Sequence, residues 1–386
     1  MKASLKVGRI FGIPVYLHVT LALILPLFAY TFGVGSGTFI GFQIGFGSLP
    51  LDLAGELVLG TIAAIILFAS ILVHELAHSY YALRRGYRIS GITLFIFGGV
   101  SQIEKAPDRA PGEGVMAFVG PLSSLAIGAI AAPFYLLLNG SSNSLAVQVI
   151  VIMLSITAFY NLFLGLFNLL PAFPMDGGRV LRASLAKRMG FLRATETAVT
   201  VGKVLAVLMA MIGFVFSIWL ILIALFIYIG AGEELQSTRV HEALRGLKVR
   251  NIMTKEVSTV SPNDPVSIVQ GKMMSERHMG YPVLEAEKVV GMVTLEDMLR
   301  VPEQEKTRVL VQQVMSRNVI SIAPEAEAFE ALEEMSTKGI GRLVVLENGA
   351  MVGIVTRTDI VKAIDMMNRA HRAGAAGPPP YGDLQK

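Results

Sequence analysis

The sequence predicts a multi-domain protein: a polytopic α-helical membrane domain of about six spans with a re-entrant β element, followed by a cytosolic α/β domain of two repeated modules. Of the 386 residues, 53% are hydrophobic and only 16% are charged. The mean hydropathy of +0.60 is too high for a soluble protein of this size, and several stretches reach the ~20 apolar residues that cross a bilayer. Residues after 239, by contrast, have an ordinary soluble composition and repeat their own motifs.

Five apolar stretches account for the expected spans. We place them at residues 10–34, 57–83, 115–138, 145–170 and 199–232. The last stretch is too long for one helix and barely long enough for two, which would meet near Gly213. The first stretch lacks a small-residue cleavage site, so we expect it to remain as a helix and not to be removed as a signal peptide.

Basic residues predict the orientation, because Lys and Arg accumulate in cytoplasmic loops. Lys2, Lys6 and Arg9 precede the first stretch, whereas residues 35–52 contain no Lys or Arg. The loops after the second and fourth stretches are basic again, as are the residues after the fifth. We therefore expect a multi-pass cell-membrane protein with its amino terminus and its repeated modules in the cytosol. The fifth stretch must then be a hairpin of two helices, which makes six spans.

The formal net charge of +4 follows from these basic loops. Basic loops that anchor a chain at a lipid bilayer explain the charge better than nucleic-acid binding does, so we expect no nucleic-acid partner. The chain has no cysteine and therefore forms no disulfide.

The second apolar stretch carries charged and titratable residues in "HELAH". Each charged group costs roughly 2.5–3.5 kcal/mol at the centre of a membrane helix on insertion scales, so their presence calls for a function. His74 and His78 are four residues apart and share a helix face, with Glu75 beside them. This is the His-Glu-x-x-His arrangement of zinc hydrolases. We expect one Zn2+ per chain, with Glu75 as the general base.

A catalytic zinc site needs a third protein ligand at the same depth. The stretch "NLLPAFPMDGG" offers Asp176, at the cytoplasmic end of the fourth span. Pro171, Pro174, Gly177 and Gly178 break the backbone there, which is tolerated at membrane depth only where protein or water satisfies the freed groups. The segment is therefore expected to line a cavity. The alternative is that Asp176 caps a helix at a cytosolic turn.

Residues 89–103, "ISGITLFIFGGVSQI", are too few to cross as a helix and are rich in β-branched and aromatic residues. We expect a re-entrant strand pair with Gly98 and Gly99 at its bend. A protease must hold its substrate extended, and an exposed strand edge does this by β-augmentation. Gly98 and Gly99 are therefore candidate substrate-binding residues, unless the hairpin is purely structural.

Taken together, "HELAH", "FGGVSQ", "GPLSS" and "NLLPAFPMDGG" resemble the site-2 protease family of intramembrane zinc metalloproteases (peptidase family M50). More narrowly, they resemble its archaeal and sporulation-type subgroup with a carboxy-terminal pair of CBS domains. The resemblance implies hydrolysis of membrane-anchored protein substrates, with His74, His78 and Asp176 as zinc ligands and Glu75 as catalytic base. Asn168 matches an asparagine of the family's second motif and is expected to polarise the scissile carbonyl or to stabilise its oxyanion. An interhelical hydrogen bond is the other interpretation of Asn168.

The soluble part repeats itself. "VRNIMTKEVSTVSPNDPV" returns as "VQQVMSRNVISIAPEAEA", and "VVGMVTLEDML" returns as "MVGIVTRTDIV". A repeat of about 60 residues indicates paired modules that pack on each other, and the pair resembles tandem CBS domains. The expected boundaries are 1–239 for the transmembrane protease domain, 240–248 for a linker, 249–304 and 305–371 for CBS modules 1 and 2, and 372–386 for a disordered tail.

Tandem CBS domains commonly bind adenine nucleotides, so ATP, ADP or AMP is the expected regulatory ligand. By that resemblance Asp297 and Asp359 contact ribose hydroxyls, and Thr294 and Thr356 lie near phosphate. A carboxylate accepts two hydroxyl protons, as in dinucleotide folds. The alternatives are that one or both modules are structural, or that the pair forms a homodimer.

Two classes of function remain open. One is a zinc protease gated by a nucleotide-sensing pair, which is expected close to the cytosolic membrane face because only residues 233–245 separate it from the last span. The other is a divalent-metal transporter or channel with a regulatory CBS pair. Glu75 favours the protease, because a transport site needs no general base beside an open metal position.

Overall fold

The computed structural model describes residues 4–96, 98–105 and 112–372. The chain forms two compact units, Met1–Gln236 and Ser237–Lys386, which are described separately. Apart from Arg372, the tail expected at 372–386 lies outside the described residues, as does Arg109 of the expected basic loop.

The first unit opens with strands where a span was predicted. Its first elements are β1 (Ser4–Ile10), β2 (Ile13–His18), α1 (Leu21–Val34), β3 (Gly37–Phe39) and β4 (Phe42–Ile44). The prediction of one continuous helix over 10–34 is therefore wrong. Ile13 and Val15 are buried, whereas Pro14 between them and Tyr16 after them are only partly buried, and this period of two belongs to a strand. The 14 residues of α1 span only about 21 Å at ~1.5 Å per residue.

The rest of this unit is mainly helical. Its elements are α2 (Leu53–Arg84), β5 (Arg88–Phe95), β6 (Gly98–Lys105), α3 (Glu113–Leu138), α4 (Leu145–Asn168), α5 (Asp176–Met189), α6 (Phe191–Phe216) and α7 (Ile218–Leu244). Five of the described helices are long and apolar enough to cross a membrane, namely α2, α3, α4, α6 and α7. The hairpin predicted in 199–232 is confirmed, with its break at Ser217.

The predicted strand pair is also confirmed, because β5 and β6 pair antiparallel. The four strands of the sheet run in the order β1-β2-β5-β6, so β6 is an edge strand. β2 joins β5 in parallel, with Val15 opposite Ile92. The opening strands thus extend the re-entrant pair into a larger sheet, and the sheet places β6 against α2.

Close packing between helices and a large exposed apolar surface mark this unit as a membrane domain. A Cβ on Gly60 of α2 would lie 2.1 Å from the carbonyl oxygen of Ala29 on α1, which is the small-residue packing typical of membrane helices. At the turn between α6 and α7, Phe214, Phe216 and Trp219 are 84%, 78% and 71% exposed. A soluble surface rarely exposes such a cluster.

The second unit contains two similar modules. The first has α8 (Val249–Ile252), α9 (Val266–Glu276), β7 (Gly280–Glu285), β8 (Lys288–Thr294) and α10 (Leu295–Leu299). The second has α11 (Val311–Val314), β9 (Ser321–Ile322), α12 (Ala328–Lys338), β10 (Arg342–Glu347), β11 (Ala350–Thr356) and α13 (Arg357–Arg372). Two cores form, one centred on Met273 and Tyr281 of the first module and one on Met335 and Leu343 of the second. The short opening helices are exchanged between them, because Val249 of α8 packs in the second core and Val311 of α11 packs in the first.

The segment expected to form a linker, 240–248, contributes to the core around Met335 and Leu343. Leu244, the last residue of α7, is fully buried, and Leu247 is 3% exposed. Both pack with Met335 and Leu343 of module 2. The segment between the two parts of the sequence is therefore held by apolar packing within the second unit.

Candidate metal centre and catalytic site

His74 and His78 lie one turn apart on α2, as their spacing predicts. Their Nε2 atoms are 3.2 Å from each other. His74 is only 4% exposed, so its imidazole is enclosed by protein. Two imidazole nitrogens this close to each other on an apolar helix indicate a shared, positively charged ligand.

Asp176 joins them from α5. Its Oδ2 atom lies 3.2 Å from Nε2 of His74 and 3.2 Å from Nε2 of His78. The glycines after it explain the approach, because a Cβ on Gly177 would lie 2.3 Å from the carbonyl oxygens of Leu169 and Leu170. Only glycine lets the first turn of α5 fold back so closely on the end of α4.

The other nitrogen of each imidazole is held by α3. Nδ1 of His78 donates to the carbonyl oxygen of Met116 at 2.6 Å, and Nδ1 of His74 is 2.9 Å from Oγ of the fully buried Ser124. A Cβ on Gly120 would lie 2.1 Å from Nε2 of His78. The stretch "GPLSS" thus leaves room for one histidine and fixes the other, a contribution of α3 that the sequence analysis did not foresee.

The three atoms fit a zinc ion. Nε2 of His74, Nε2 of His78 and Oδ2 of Asp176 form a triangle with 3.2 Å sides. Tetrahedral ligands at ~2.0–2.1 Å from zinc lie about 3.3 Å apart. Nitrogen and carboxylate donors are the set that catalytic zinc sites use, and the hydrogen bonds at Nδ1 direct both Nε2 atoms to the centre of the triangle.

Comparisons with known proteins give the family of this chain. The model of peptidase family M50 matches residues 62–211, and the CBS domain model matches residues 249–303 and 311–366. Zinc metalloprotease MJ0392 of Methanocaldococcus jannaschii is 32% identical over 372 residues, which are 95% of this chain and 98% of that relative. This chain belongs to peptidase family M50.

One further relative and one solved structure are also similar to this chain. Rip3 of Mycobacterium tuberculosis, also named as a zinc metalloprotease, is 32% identical over 387 residues, covering 96% of this chain and 95% of its own. The solved site-2 protease from Methanocaldococcus jannaschii is 32% identical and covers 60% of this chain and 95% of its own, with a TM-score of 0.40. The family confirms a membrane zinc metalloendopeptidase of the site-2 protease type with a CBS pair.

Glu75 lies beside the metal ligands and against the edge strand. Its Oε2 atom accepts a hydrogen bond of 2.9 Å from Oγ of Ser101 on β6. A Cβ on Gly99 would lie 2.3 Å from Cγ of Glu75. Gly98, at φ +129°, has open space around its Cβ position and makes the turn into β6.

A cavity of about 580 Å³ gathers these residues. It is lined by His74, Glu75, His78, Gly98, Gly99, Ser101, Asn168 and Asp176, among others. Asn168 is the last residue of α4, and its Nδ2 donates to the carbonyl oxygen of Leu164 at 2.9 Å. The side chain is thus tied by one end to its own helix, while its position on the wall of the cavity is compatible with the expected contact to a substrate carbonyl.

A buried arginine, not anticipated from the sequence, holds the helix that carries Asp176. Arg182 of α5 forms ion pairs with Glu113 of α3 and Glu234 of α7. Its guanidinium also lies between two rings, 4.9 Å from the centre of Phe173 and 4.7 Å from that of Phe191. Arg182 therefore fixes α5 against the amino end of α3, the helix that orients both histidines.

In the second unit, the expected nucleotide contacts are helix caps. Oγ1 and the backbone N–H of Thr294 donate to Oδ2 of Asp297, at 2.7 Å and 2.9 Å. Thr356 and Asp359 repeat this arrangement with the same distances. Each Thr-Asp pair closes the first turn of the helix that follows its strand, which leaves one carboxylate oxygen of each Asp outside the cap.

One of the matched positions that differ between the two modules carries a charge in the second module alone. Gly280 begins β7 and pairs with Thr294, whereas Arg342 begins β10 and pairs with Thr356. Nη1 of Arg342 reaches across to the carbonyl oxygen of Gly280 at 2.6 Å. Burial lowers the pKa of Arg342, and no Asp or Glu among the described residues forms an ion pair with it. A half-buried cation without a carboxylate partner thus lies beside the capping box of module 1.

Proposed function

We propose that the chain hydrolyses peptide bonds of membrane-anchored protein substrates near the cytosolic face of the membrane. His74, His78 and Asp176 hold Zn2+, and Glu75 is the general base. One observation carries this proposal: three ligand atoms from α2 and α5 converge at 3.2 Å beside a carboxylate, in a cavity of a family M50 chain. Neither a helix cap at Asp176 nor a buried hydrogen-bonded histidine accounts for this convergence.

When bound, zinc acts as a Lewis acid and brings the pKa of a coordinated water to roughly 7. The protein supplies the rest. Glu75 accepts the proton of the attacking water and gives it to the leaving amine. Ser124 and the carbonyl oxygen of Met116 hold the two imidazoles in place. One N–H of Asn168 Nδ2 donates to the carbonyl of Leu164, and its second N–H donates to the scissile carbonyl.

The substrate lies along β6. This strand is at the edge of the four-stranded sheet and lines the cavity at Gly98, Gly99 and Ser101. An unfolded substrate segment paired with this edge presents its peptide bonds to Glu75. Gly98 supports this arrangement because its open surroundings give a neighbouring backbone access to the strand.

The orientation follows from the same residues. Lys187 and Arg188 lie in the last turn of α5, the helix that begins at Asp176, so the metal centre is expected toward the basic, cytosolic side. Counting α1 with the five long helices gives six apolar helices, an even number that returns the chain to the cytosol. The shortness of α1 requires the hairpin of β3 and β4 to complete that part of the membrane domain.

The CBS pair binds an adenine nucleotide and regulates cleavage. Asp297 and Asp359 each keep one carboxylate oxygen for a ribose hydroxyl outside the cap, and Arg342 supplies an unpaired cation for phosphate. ATP, ADP and AMP each carry the ribose hydroxyls and the phosphate that these side chains would bind. Binding alters cleavage only to the extent that the nucleotide favours one arrangement of the protein over another.

The pair also forms a homodimer through module 1. Ile268 and Met274 of α9 are 61% and 77% exposed, whereas Glu330 and Ser336 occupy the matched positions of α12. An apolar face on one module and a polar face on the other favour a second copy of the apolar face as partner. Replacing Ile268 and Met274 by Glu should convert a dimer, measured by light scattering in detergent, to a monomer; an unchanged mass contradicts this interface.

Glu75→Gln tests the proposed chemistry. The amide keeps the size of the side chain but does not accept the proton, so zinc content should stay near one per chain while cleavage of a single-span substrate falls by roughly 10²–10⁴-fold. Metal analysis and cleavage are measured on the same preparation. Unchanged cleavage, or divalent-metal flux into liposomes that needs His74 but not Glu75, would favour the transporter instead.

A further inference from the structure

The edge strand β6 fits closely around the side chain of Glu75. A Cβ on Gly99 would lie 2.3 Å from Cγ and 3.0 Å from Cδ of Glu75, so the glycine makes room for the carboxylate arm. Ser101 is two residues further along the strand, and residues two apart face the same side. Its hydroxyl therefore meets the carboxylate that Gly99 admits.

Ser101 makes two contacts with the same residue. Its Oγ donates to Oε2 of Glu75 at 2.9 Å and lies 3.4 Å from the backbone carbonyl oxygen of Glu75. No hydrogen bond to Oε1 is present among the described residues. One carboxylate oxygen is thus held by β6, and the other is left for the cavity that Glu75 lines.

A second hydroxyl stands behind the first. Ser79 lies one turn after Glu75 on α2, is 1% exposed, and has its Oγ 2.9 Å from Oγ of Ser101. A serine hydroxyl has one proton to donate and two lone pairs. Because the proton of Ser101 goes to the carboxylate, the proton of Ser79 goes to Ser101. The two hydroxyls form a short directional chain that ends on Oε2 of Glu75.

We propose that Ser101, supported by Ser79, is a positioning residue for Glu75. This inference rests on the proposed role of Glu75 as general base. A glutamate side chain has three rotatable bonds, and a base must come within about 2.6–3.2 Å of the proton that it takes. The hydrogen bond from Ser101 selects the rotamer in which Oε2 faces β6 and Oε1 remains available to water.

Two substitutions separate this role from packing. Threonine at 101 keeps the hydroxyl, and valine has nearly the same shape without it; both are good strand formers. Ser101→Val should lower kcat by about 10–100-fold, as loss of a hydrogen bond that orients a functional group typically does, with KM and zinc content unchanged. Ser101→Thr should stay near the wild-type kcat. Ser90→Val, at an exposed position of β5, is the matched control and should change neither.

The chain also allows a test that needs no activity. Because the sequence has no cysteine, Ser79→Cys combined with Ser101→Cys introduces a single candidate disulfide, and the two Oγ atoms are close enough for one. Mild oxidation of the full chain in membranes should link the pair, read as protection of both thiols from a maleimide that is added only after the oxidised protein has been unfolded, because position 79 is buried in the folded chain. Ser79→Cys with Ser90→Cys should remain reactive.

The outcomes are distinct. Equal kcat for the Val and Thr variants, a fall in zinc content with Ser101→Val, or free thiols in the Ser79/Ser101 pair would each overturn the inference. If Glu75→Gln abolishes cleavage while the Val and Thr variants match, the proposed function stands and the positioning role fails. If Glu75→Gln cleaves normally, both fail.

Discussion

The metal centre of the first unit is assembled from three helices, whereas each expected nucleotide contact of the second unit lies within four consecutive residues. His74 and Asp176 are 102 positions apart in sequence and 3.2 Å apart in space. Thr294 and Asp297 are three positions apart, and their hydrogen bonds complete a helix cap. An aspartate carboxylate thus takes part in a cluster of residues distant in sequence in the first unit, whereas in the second it hydrogen-bonds to groups only three residues away.

This difference determines what a substitution reports. At the candidate metal centre, the three ligand atoms form no hydrogen bond to backbone among the described residues. Removing one of them should therefore lower zinc binding and cleavage before it destabilises the fold. In the CBS pair, the carboxylate that is expected to bind ribose also satisfies backbone N–H groups. Simple truncation there mixes loss of a ligand contact with loss of a cap, which is worth ~0.5–2 kcal/mol by itself.

The largest expected effect is at Asp176. Asp176→Ala should remove most of the bound zinc, because two histidines remain where a catalytic site needs three protein ligands. Cleavage should fall by more than the roughly 10²–10⁴-fold of a lost general base. Asp297→Ala is the control from the other unit and should retain one zinc per chain. Full zinc occupancy in Asp176→Ala would exclude Asp176 as the third ligand.

Next is the buried cation that holds α5. Arg182→Ala leaves Glu113 and Glu234 without their shared partner, and removal of one member of a buried ion pair costs about 3–5 kcal/mol. Thermal unfolding in detergent should shift strongly downward, and zinc affinity should weaken because α5 carries Asp176. The matched control is Arg188→Ala, since Arg188 is exposed on the same helix. Equal melting temperatures for the two variants would contradict the clamp.

Sequence reasoning identified the residues of the candidate metal centre for two reasons. The spacing of the histidines is a local signal, and polar groups inside a membrane helix have a free-energy cost that needs a function to explain it. The four-residue spacing places His74 and His78 on one helix face wherever that helix packs, and polar groups in an apolar span demand an explanation. Asp176 followed from matching depth. Ser124 and Met116 were out of reach, because they act from 50 and 38 positions away through contacts that depend on how α3 packs on α2.

The error at residues 10–34 has a different cause. A hydropathy window counts apolar residues and does not register their period, so the alternating strand "IPVYLH" and the short α1 merged into one span. Arg342 was missed for a third reason: aligned repeats show Gly280 and Arg342 at matched positions, but the significance of the charge depends on its burial and on the absence of an acidic partner among the described residues.

A smaller effect, on nucleotide binding, is expected when the ribose contacts are removed by substitutions that preserve the helix caps. Asp297→Asn with Asp359→Asn keeps one side-chain oxygen for each cap and removes the second carboxylate oxygen. Calorimetric titration with ATP, ADP and AMP should show weaker binding, and the nucleotide dependence of cleavage, a few-fold to a hundredfold for ~1–3 kcal/mol of coupling, should disappear. Basal cleavage and zinc content should not change. Wild-type protein that binds none of the three nucleotides would contradict regulation by this route.

The smallest expected effect distinguishes the two modules from each other. Arg342→Gly makes the start of β10 like the start of β7, where Gly280 stands, and removes the half-buried cation beside the capping box of module 1. A hydrogen bond to a charged group contributes ~1.5–3 kcal/mol, and because the cation is partly solvated we expect the low end, about a tenfold weaker affinity for ATP. Adenosine, which has no phosphate, should bind both proteins equally.

The control Arg250→Gly removes a surface cation that already pairs with Glu325 and Glu347, so its ATP affinity should match wild type. Equal weakening of ATP and adenosine by Arg342→Gly would mean that Arg342 supports the strand and not the phosphate. Any difference in nucleotide binding between the two modules would then have to come from other residues.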